Sequence, residues 1–530
     1  MGLPEIRSEN PMSIAKLETS RPEMEPNRPA DQGPAKRAWL WDLWVITVAT
    51  AFGPAMVVIN NPESPEPWTA VAIVVALVCL AALVRLALTR ARLDPRGATY
   101  AVAVFMFVML NSGFVVGSAS RLEPLLLGIG FSLLAYRLRD VGIFKFLVSW
   151  ACLALAVGPA VLWLSGRDSA SAATAPIGED IDVAPFTSTP DVVLVVADGY
   201  GSNQVLSEFY EYDNGVFAES MANAGSPLSD HMTSNYARTM LSIPSLLQLG
   251  YLPLGAATSG DFEAQLLSIL GGENRLADTM RANGYRTVYV ESGWTGTDCS
   301  ELNDVCIPAP WPDETAYDIA YRSILRDAPG FETGMSFARG AKHVLGNLSD
   351  TLSTYLTDDR PDFIYVHILV PHPPLFLDEN CELRANVANS GFAVGATWMS
   401  EAQLANNRDA YIDQVKCANK HLLEAAVIID DVGAVGLFFG DHGPDQGAQL
   451  TTHSDTWDAE QKAERYNVLF AAHHEGCEYE SVTSLVNVGR RLVACLSGSE
   501  VPSLADRYFD LDKHLEPPQV IELDPPRPAG

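Results

Sequence analysis

The sequence predicts a chain of two dissimilar halves: five apolar helices in series forming a membrane domain, then a layered α/β domain with a mainly parallel sheet. Three observations carry this. Between Trp39 and about Leu164 the chain is a succession of apolar stretches, whereas from residue 190 short aliphatic runs alternate with helical stretches. Basic residues crowd some connections between the apolar stretches and avoid others. Of 8 cysteines, all but Cys79 and Cys152 follow the apolar half.

The five stretches are WLWDLWVITVATAFGPAMVVI, WTAVAIVVALVCLAALV, YAVAVFMFVMLNSGFVVG, PLLLGIGFSLLAY and IFKFLVSWACLALAVGPAVLWL. Each is close to the roughly 20 apolar residues that a helix needs to cross about 30 Å of hydrocarbon, the fourth being the shortest. The competing reading, five buried core helices of a soluble protein, does not account for the charge of the connections. Lys36 and Arg37 precede the first stretch, and NNPESPEP after it has no basic residue. Arg85, Arg90, Arg92 and Arg96 crowd the next connection, Arg121 stands alone in the third, and Arg137, Arg139 and Lys145 fill the fourth. Basic residues near span ends favour the cytoplasm, so the N terminus is expected inside and everything after about residue 165 outside. Residues 1–38, rich in Pro, Glu, Ser and Arg without an apolar run, read as a disordered cytoplasmic tail.

Cys299, Cys306, Cys381, Cys417, Cys477 and Cys495 form an even set in the part expected outside, as an oxidising compartment would favour. Pairing of neighbours, 299 with 306, 381 with 417 and 477 with 495, is the expectation among the 15 connectivities that six cysteines allow. No two have CxxC spacing, which argues against a zinc knuckle. The net charge of −30 argues against nucleic acid as a partner.

Residues 166–189 are small and polar and read as a linker, 190–512 as the outer domain, and 513–530 as a C-terminal tail. VVLVVA, RTVYV, DFIYVHIL, AVGLFFG and NVLFAA read as buried strands, and NRLADTMRANGY and a long polar stretch from about Glu401 to Ile429 as helices. In parallel sheets chemistry collects at the carboxyl ends of the strands. VVLVVA runs into Asp198, and AVGLFFG into Asp441 and His442. Two carboxylates and an imidazole are ligands that zinc or manganese accepts, although an acid after a strand is also a common cap or turn former.

Thr239 stands at the start of a predicted helix, where backbone N–H groups favour anions. It reads either as a nucleophile or as that helix's N-cap, with Ser242 and Thr233 as rival hydroxyls. His372 lies among Pro371, Pro373 and Pro374, which stiffen its loop. His367 reads as a satisfied core histidine and His453 as a second-metal or phosphate ligand. His473 and His474 read as exposed.

The order strand-DG, SNYxxTxxSxxSxL, HxxxPHPP, GDHGP, closing strand, VNxxRRL resembles the sulfatase-like branch of the alkaline phosphatase superfamily over about residues 190–510. Five spans before such a domain also resemble the lipoteichoic-acid synthases and phosphoethanolamine transferases. The resemblance implies an outer α/β sandwich on the bacterial cytoplasmic membrane. It further implies one divalent ion, zinc or manganese with magnesium as a further option, on Asp198, Thr239, Asp441 and His442, with His453 as an additional candidate. Thr239 would be the nucleophile, and His372 would steady the transferring group or leaving oxygen. The expected reaction is transfer of a phosphoryl or phosphoalkyl group from a phospholipid, or onto an envelope glycan. The alternatives are a phosphodiesterase or sulfatase-like hydrolase, or a non-catalytic glycan or lipid sensor. The C/SxPxR segment of true sulfatases is not matched: Ser242-Ile243-Pro244-Ser245-Leu246 lacks the arginine, which speaks against ordinary sulfate-ester hydrolysis.

Overall fold

The computed structural model describes residues 33–60, 67–112, 122–167, 181, 183–253, 260–293, 299–309, 319, 323–324, 335–357, 360–388, 400–446, 449–515 and 518–526. The tail expected at 1–38 lies outside these up to residue 32, as do 168–180 and 182 of the expected linker. Five helices come first: α1 (Gly33–Asn60), α2 (Pro67–Arg90), α3 (Pro95–Leu110), α4 (Leu122–Leu138) and α5 (Gly142–Arg167). Two segments, Trp39–Ile59 and Ala70–Arg90, are long and apolar enough to cross a membrane, and Pro95–Leu110, Pro124–Leu138 and Gly142–Gly158 are shorter apolar helices. Leu83, Leu126, Leu133, Phe146 and Trp150 turn outward on them, where a soluble bundle would carry polar groups. Asp42 and Arg85, charges within these helices, pair with each other, and Arg85 Nε donates to Thr99 Oγ1 at 2.7 Å. Ile319, from the outer part, packs on Val57 near the end of α1 and Ala70 near the start of α2.

The outer part is an α/β domain around a six-stranded sheet. Its strands are β1 (Val192–Ala197), β2 (Arg286–Val290), β3 (Val305–Ile307), β4 (Asp362–Ile368), β7 (Val435–Phe439) and β8 (Phe470–His473), in the order β3-β2-β4-β1-β7-β8. Every pairing is parallel except β7 with β8. The excursion between β4 and β7 carries a hairpin of β5 (Leu375–Leu377) and β6 (Leu383–Ala388).

The uninterrupted VVLVVA run follows from burial on both faces. Val193, Val195 and Ala197 join one core with Tyr411, Val415 and Leu422 of the long helix Glu401–Val432. Val192, Leu194 and Val196 join the other, with Leu241, Leu276 and Leu492 from helices Thr239–Leu247, Arg275–Ala282 and Leu485–Ser497. Successive strand side chains alternate faces, so a central strand needs apolar residues at every position. Each such side chain contributes roughly 1.5–3 kcal/mol when fully buried. Three disulfides join Cys299 to Cys306, Cys381 to Cys417 and Cys477 to Cys495, the neighbour pairing expected.

The C-terminal boundary expected at residue 512 falls inside a hairpin. β9 (Tyr508–Asp512) pairs antiparallel with β10 (Gln519–Leu523), because Val520 and Leu523 carry apolar side chains that the domain buries. β9 is also bound to the segment before Thr239: Phe509 N donates to Asn235 O at 2.8 Å and Ala237 N to Phe509 O at 3.2 Å.

Candidate active site

The carboxyl ends of β1, β4 and β7 converge because the three strands are neighbours and run the same way. Asp198, the first residue beyond β1, donates its N–H to Ile368 O at the end of β4, 3.0 Å away. Gly199 then adopts a φ of 71° and aims its N–H at Asp441 Oδ1, 3.0 Å away. That left-handed backbone is what a glycine after the acid supplies cheaply. On the β7 side, a Cβ on Gly443 would lie 1.9 Å from Glu464 O, so only glycine lets the Asp-His turn close against the next helix.

Four side chains meet there. Thr239 Oγ1 lies 3.1 Å from His442 Nε2, which in turn is 3.5 Å from Asp198 Oδ1 and 3.6 Å from Asp441 Oδ2. His372 brings a fifth ligand-type atom, since Asp198, His372 and His442 each present one within 4.8 Å of the others. His442 Nδ1 sits 2.9 Å from the Gly443 carbonyl, which can only accept, so Nδ1 carries the hydrogen and Nε2 the lone pair. His372 Nδ1 bonds the Pro373 carbonyl and has the same tautomer.

The charges agree with that assignment. Burial, with Arg465 nearby, pushes His442 well below the ordinary histidine range, so its imidazole is neutral. Burial acts to raise Asp198, but His372 and the hydrogen bond from His367 outweigh it and hold the carboxyl below the usual range. Asp441 is pushed up to about 7 by burial and by the Asp198 charge, against the pull of His367, the Gly199 N–H and Thr239. Two carboxylates this close and this buried resist ionising together.

Asp198 Oδ1 and Asp441 Oδ2 are buried without a hydrogen-bond partner. They face a neutral imidazole lone pair and a single hydroxyl, so acceptors outnumber donors around them. Buried polar atoms are normally satisfied, and leaving two carboxylate oxygens bare costs about 1–3 kcal/mol each or more. A divalent cation resolves the arrangement, and the mixed oxygen and nitrogen set suits zinc or manganese. Asp198, Asp441, His442 and Thr239 are the residues able to hold it, with His372 within reach.

Thr239 is the first residue of its helix, and the N-cap is Arg238, whose side chain makes no cap bond. The hydroxyl therefore faces His442 and does not cap the helix. The rival hydroxyls are engaged elsewhere, Ser242 with Ser234 Oγ at 3.0 Å and Thr233 with the Thr483 carbonyl at 2.8 Å. His453 is not grouped with these residues: its Nδ1 is 3.2 Å from Asp512 Oδ2 and its ring lies against His514. His473 and His474, read as exposed, are half-buried and line a cavity of about 860 Å³ beside β8.

Sequence reasoning missed Arg465 and, for His367, foresaw the core position but not the partner. His367 pairs across from Val196 and lies 3.4 Å from Asp198 Oδ2. A signal existed, since an imidazole inside a fully buried strand needs a polar partner and Asp198 ends a strand of the same kind. Arg465 is buried, donates from Nε to Ala237 O at 2.8 Å and from Nη1 to Gly443 O, and so ties the Thr239 segment to the Asp-His turn. Nothing in ERYN announces that role.

Residues 190–488 match the family model described as Sulfatase. No curated protein matches the chain. Among solved structures, the chain is similar to the C-terminal periplasmic domain of EcEptC from Escherichia coli, at 11% identity over 66% of this chain and 96% of that one, with a TM-score of 0.41. The corresponding domain of phosphoethanolamine transferase EptC from Campylobacter jejuni gives 12% identity over 58% and 89%, with a TM-score of 0.38. Phosphonate monoester hydrolase of Agrobacterium radiobacter gives 14% over 60% and 79%, with a TM-score of 0.39.

Proposed function

The chain belongs to the sulfatase family, and from that premise we propose that it is a membrane-anchored, metal-dependent transferase of phosphoryl or phosphoalkyl groups working through Thr239. The observation that carries this is the Thr239 hydroxyl, 3.1 Å from His442 Nε2 in a ring of buried acceptors, on the first residue of its helix and beyond the N-cap Arg238. A divalent cation held by Asp198, Asp441, His442 and Thr239 would lower the hydroxyl's pKa and offset the charge of an anionic ester.

The chain's own residues account for the rest. Thr239 Oγ1 attacks the phosphorus of a diester, the bond to the leaving alcohol breaks, and the group rests on the threonine as an ester. His372, its Nδ1 hydrogen anchored to Pro373, takes the Thr239 proton on its Nε2 lone pair and returns it to the leaving oxygen. An acceptor hydroxyl then attacks the same phosphorus and frees Thr239. Arg465 keeps the nucleophile segment and the Asp-His turn in register throughout.

Five apolar helices, read as spans, hold the domain beside a lipid headgroup layer, which makes a phospholipid the natural donor and a lipid or envelope glycan the acceptor. The loop arginines support a reading with the N terminus in the cytoplasm of a bacterial cell. The packing of Ile319 on the α1 and α2 ends expected outside supports that orientation, and three disulfides suit an oxidising, extracytoplasmic compartment. Ser242, the position nearest the sulfatase nucleophile, is turned to Ser234, which favours a phosphorus ester over a sulfate ester.

The test is intact-mass analysis of the full chain after incubation with membrane lipids and zinc, beside Thr239→Ala. A mass increment on Thr239 in the wild type alone is expected, and its value names the transferred group. Turnover that survives in Thr239→Ala would end this reading.

A further inference from the structure

Between α1, α3 and α5 lies a groove of about 350 Å³, walled by Val45, Ala49, Ala103, Phe107, Ala151 and Leu155 among others. We propose that it holds one acyl chain of an anionic phospholipid of the cytoplasmic leaflet, whose phosphate lies at Arg96 and Lys145. The proposal rests on the reading of α1–α5 as spans with their basic connections inside, and not on the reaction assigned to Thr239.

The groove exists because small side chains stand where helices meet. Ala49, Ala103, Ala151 and Ala154 leave space that leucines would fill. Ala151 and Ala154 are exposed on its flank, so it opens sideways toward the hydrocarbon. Apart from the Tyr100 hydroxyl and the Cys152 thiol, its lining side chains carry no polar atom. A polar ligand would lose its hydrogen bonds there, whereas an acyl chain has none to lose.

Helix periodicity fixes the mouth. The walls recur at steps of three and four along one face of each helix: Val45, Ala49 and Phe52 on α1, Tyr100, Ala103 and Phe107 on α3, Val148, Cys152 and Leu155 on α5. Three or four residues earlier the same faces carry Asp42, Arg96 and Lys145. On α5 the wall runs from about 9 Å to about 20 Å beyond Gly142, the inner half of a hydrocarbon layer about 30 Å thick. Phe52 packs on Phe107, 5.8 Å between ring centres, and closes the outer end. Tyr100 meets Phe144 edge to face at 5.6 Å at the inner end, where aromatic rings suit the headgroup level. A chain seated here has its head on the cytoplasmic side, in the leaflet opposite the outer domain, so this lipid is not the donor.

Charge selects the head. Asp42 is already paired with Arg85. Arg96 is exposed, and Lys145 approaches Asp140 only to 3.9 Å. The mouth is therefore basic. Lipid tails already lie in hydrocarbon, so moving one into the groove gains packing but no transfer from water. Selectivity then comes from the head, with each Lys or Arg beside an anionic lipid adding roughly fivefold in affinity.

The test is native mass spectrometry of the full chain in detergent, titrated with phosphatidylglycerol or with phosphatidylcholine of the same chain length. Wild type is expected to retain one phosphatidylglycerol about twentyfold more tightly than phosphatidylcholine, and Thr239→Ala should do the same. Arg96→Gln and Lys145→Gln should each weaken it about fivefold. Ala103→Leu with Ala151→Leu, which fills the groove, should abolish the preferred lipid. Ala154→Leu on the exposed flank should weaken it as well, and serves if the double variant does not fold. Equal retention of the two lipids by the wild type would overturn the proposal. So would phosphatidylglycerol binding that falls in the charge variants but persists in both filled-groove variants, since the lipid would then sit on the basic surface alone. A chain soluble without detergent would remove the spans and the proposal together.

Discussion

At the amino end of the sheet, Asp362 opens β4 fully buried and is gripped by Arg286, with Nε 2.7 Å from Oδ1 and Nη2 2.5 Å from Oδ2. At the carboxyl end, Asp198 and Asp441 are equally buried, yet one oxygen of each has no hydrogen-bond partner. The two ends are built from the same residue type at the same depth. What differs is the neighbour, a bidentate cation in one case and other acceptors in the other. Asp362 is complete within the chain, whereas Asp198 and Asp441 each keep an oxygen with no hydrogen-bond partner from the chain.

The sharpest way to break that contrast is to remove the hydroxyl among the acceptors. Thr239→Ala should lower turnover by more than about 10³-fold, the scale seen when a covalent nucleophile is deleted, while zinc counted per chain falls by less than one ion. Equal activity in the two proteins would make Thr239 a bystander.

Next in size is Asp362→Asn, which leaves the Arg286 charge poorly compensated at a buried site. Breaking one partner of such a pair costs about 3–5 kcal/mol, so denaturant unfolding should show a large loss of stability without any change in zinc content. A variant as stable as wild type would show that the amino-end pair is not the rigid counterpart described here.

A smaller effect, with the opposite sign, belongs to Asp441. Its folded, metal-free carboxyl titrates at about 7, above the roughly 4 of an unfolded chain. The folded state therefore holds the extra proton between those values, and stability falls as pH rises from about 4 to about 7. In chelator, the melting temperature of the wild type should decline across this window. Asp441→Asn should lessen the decline, the remainder coming from Asp445, which burial also pushes up to about 7, and zinc should oppose it only in the wild type. A wild-type curve that rises over the same range would contradict the acceptor-on-acceptor geometry.

The smallest expected change is Ser242→Ala. It removes one buried hydroxyl contact worth about 1 kcal/mol and should leave turnover within about threefold. A collapse of activity there would move the nucleophile from Thr239 to the sulfatase position.

Much of this was legible before folding. The VVLVVA and AVGLFFG runs announce central parallel strands because only a strand covered on both faces needs apolar residues at every step. The acids that stop those runs announce a strand-end site for the same reason. The cysteine pairs were readable from proximity in sequence, since short separations leave little else within reach. His367 was legible as a satisfied core histidine, but its partner Asp198 was not, because a histidine in a hydrophobic run looks the same whichever group on the adjacent strand it meets. Arg465 and the hairpin of β9 and β10 were invisible, since their partners lie far away in the chain.

By itself, then, the sequence determined the periodicities, the order of the elements and the chemical kinds of group at each strand end, all of which depend on neighbours a few residues apart. Only the tertiary structure decided which groups face one another. It turned Thr239 toward His442, set His442 against Asp198, and drew His453 away to Asp512, because distances of 3 to 4 Å between residues far apart in the chain are fixed by strand order and packing and by no local preference of the chain.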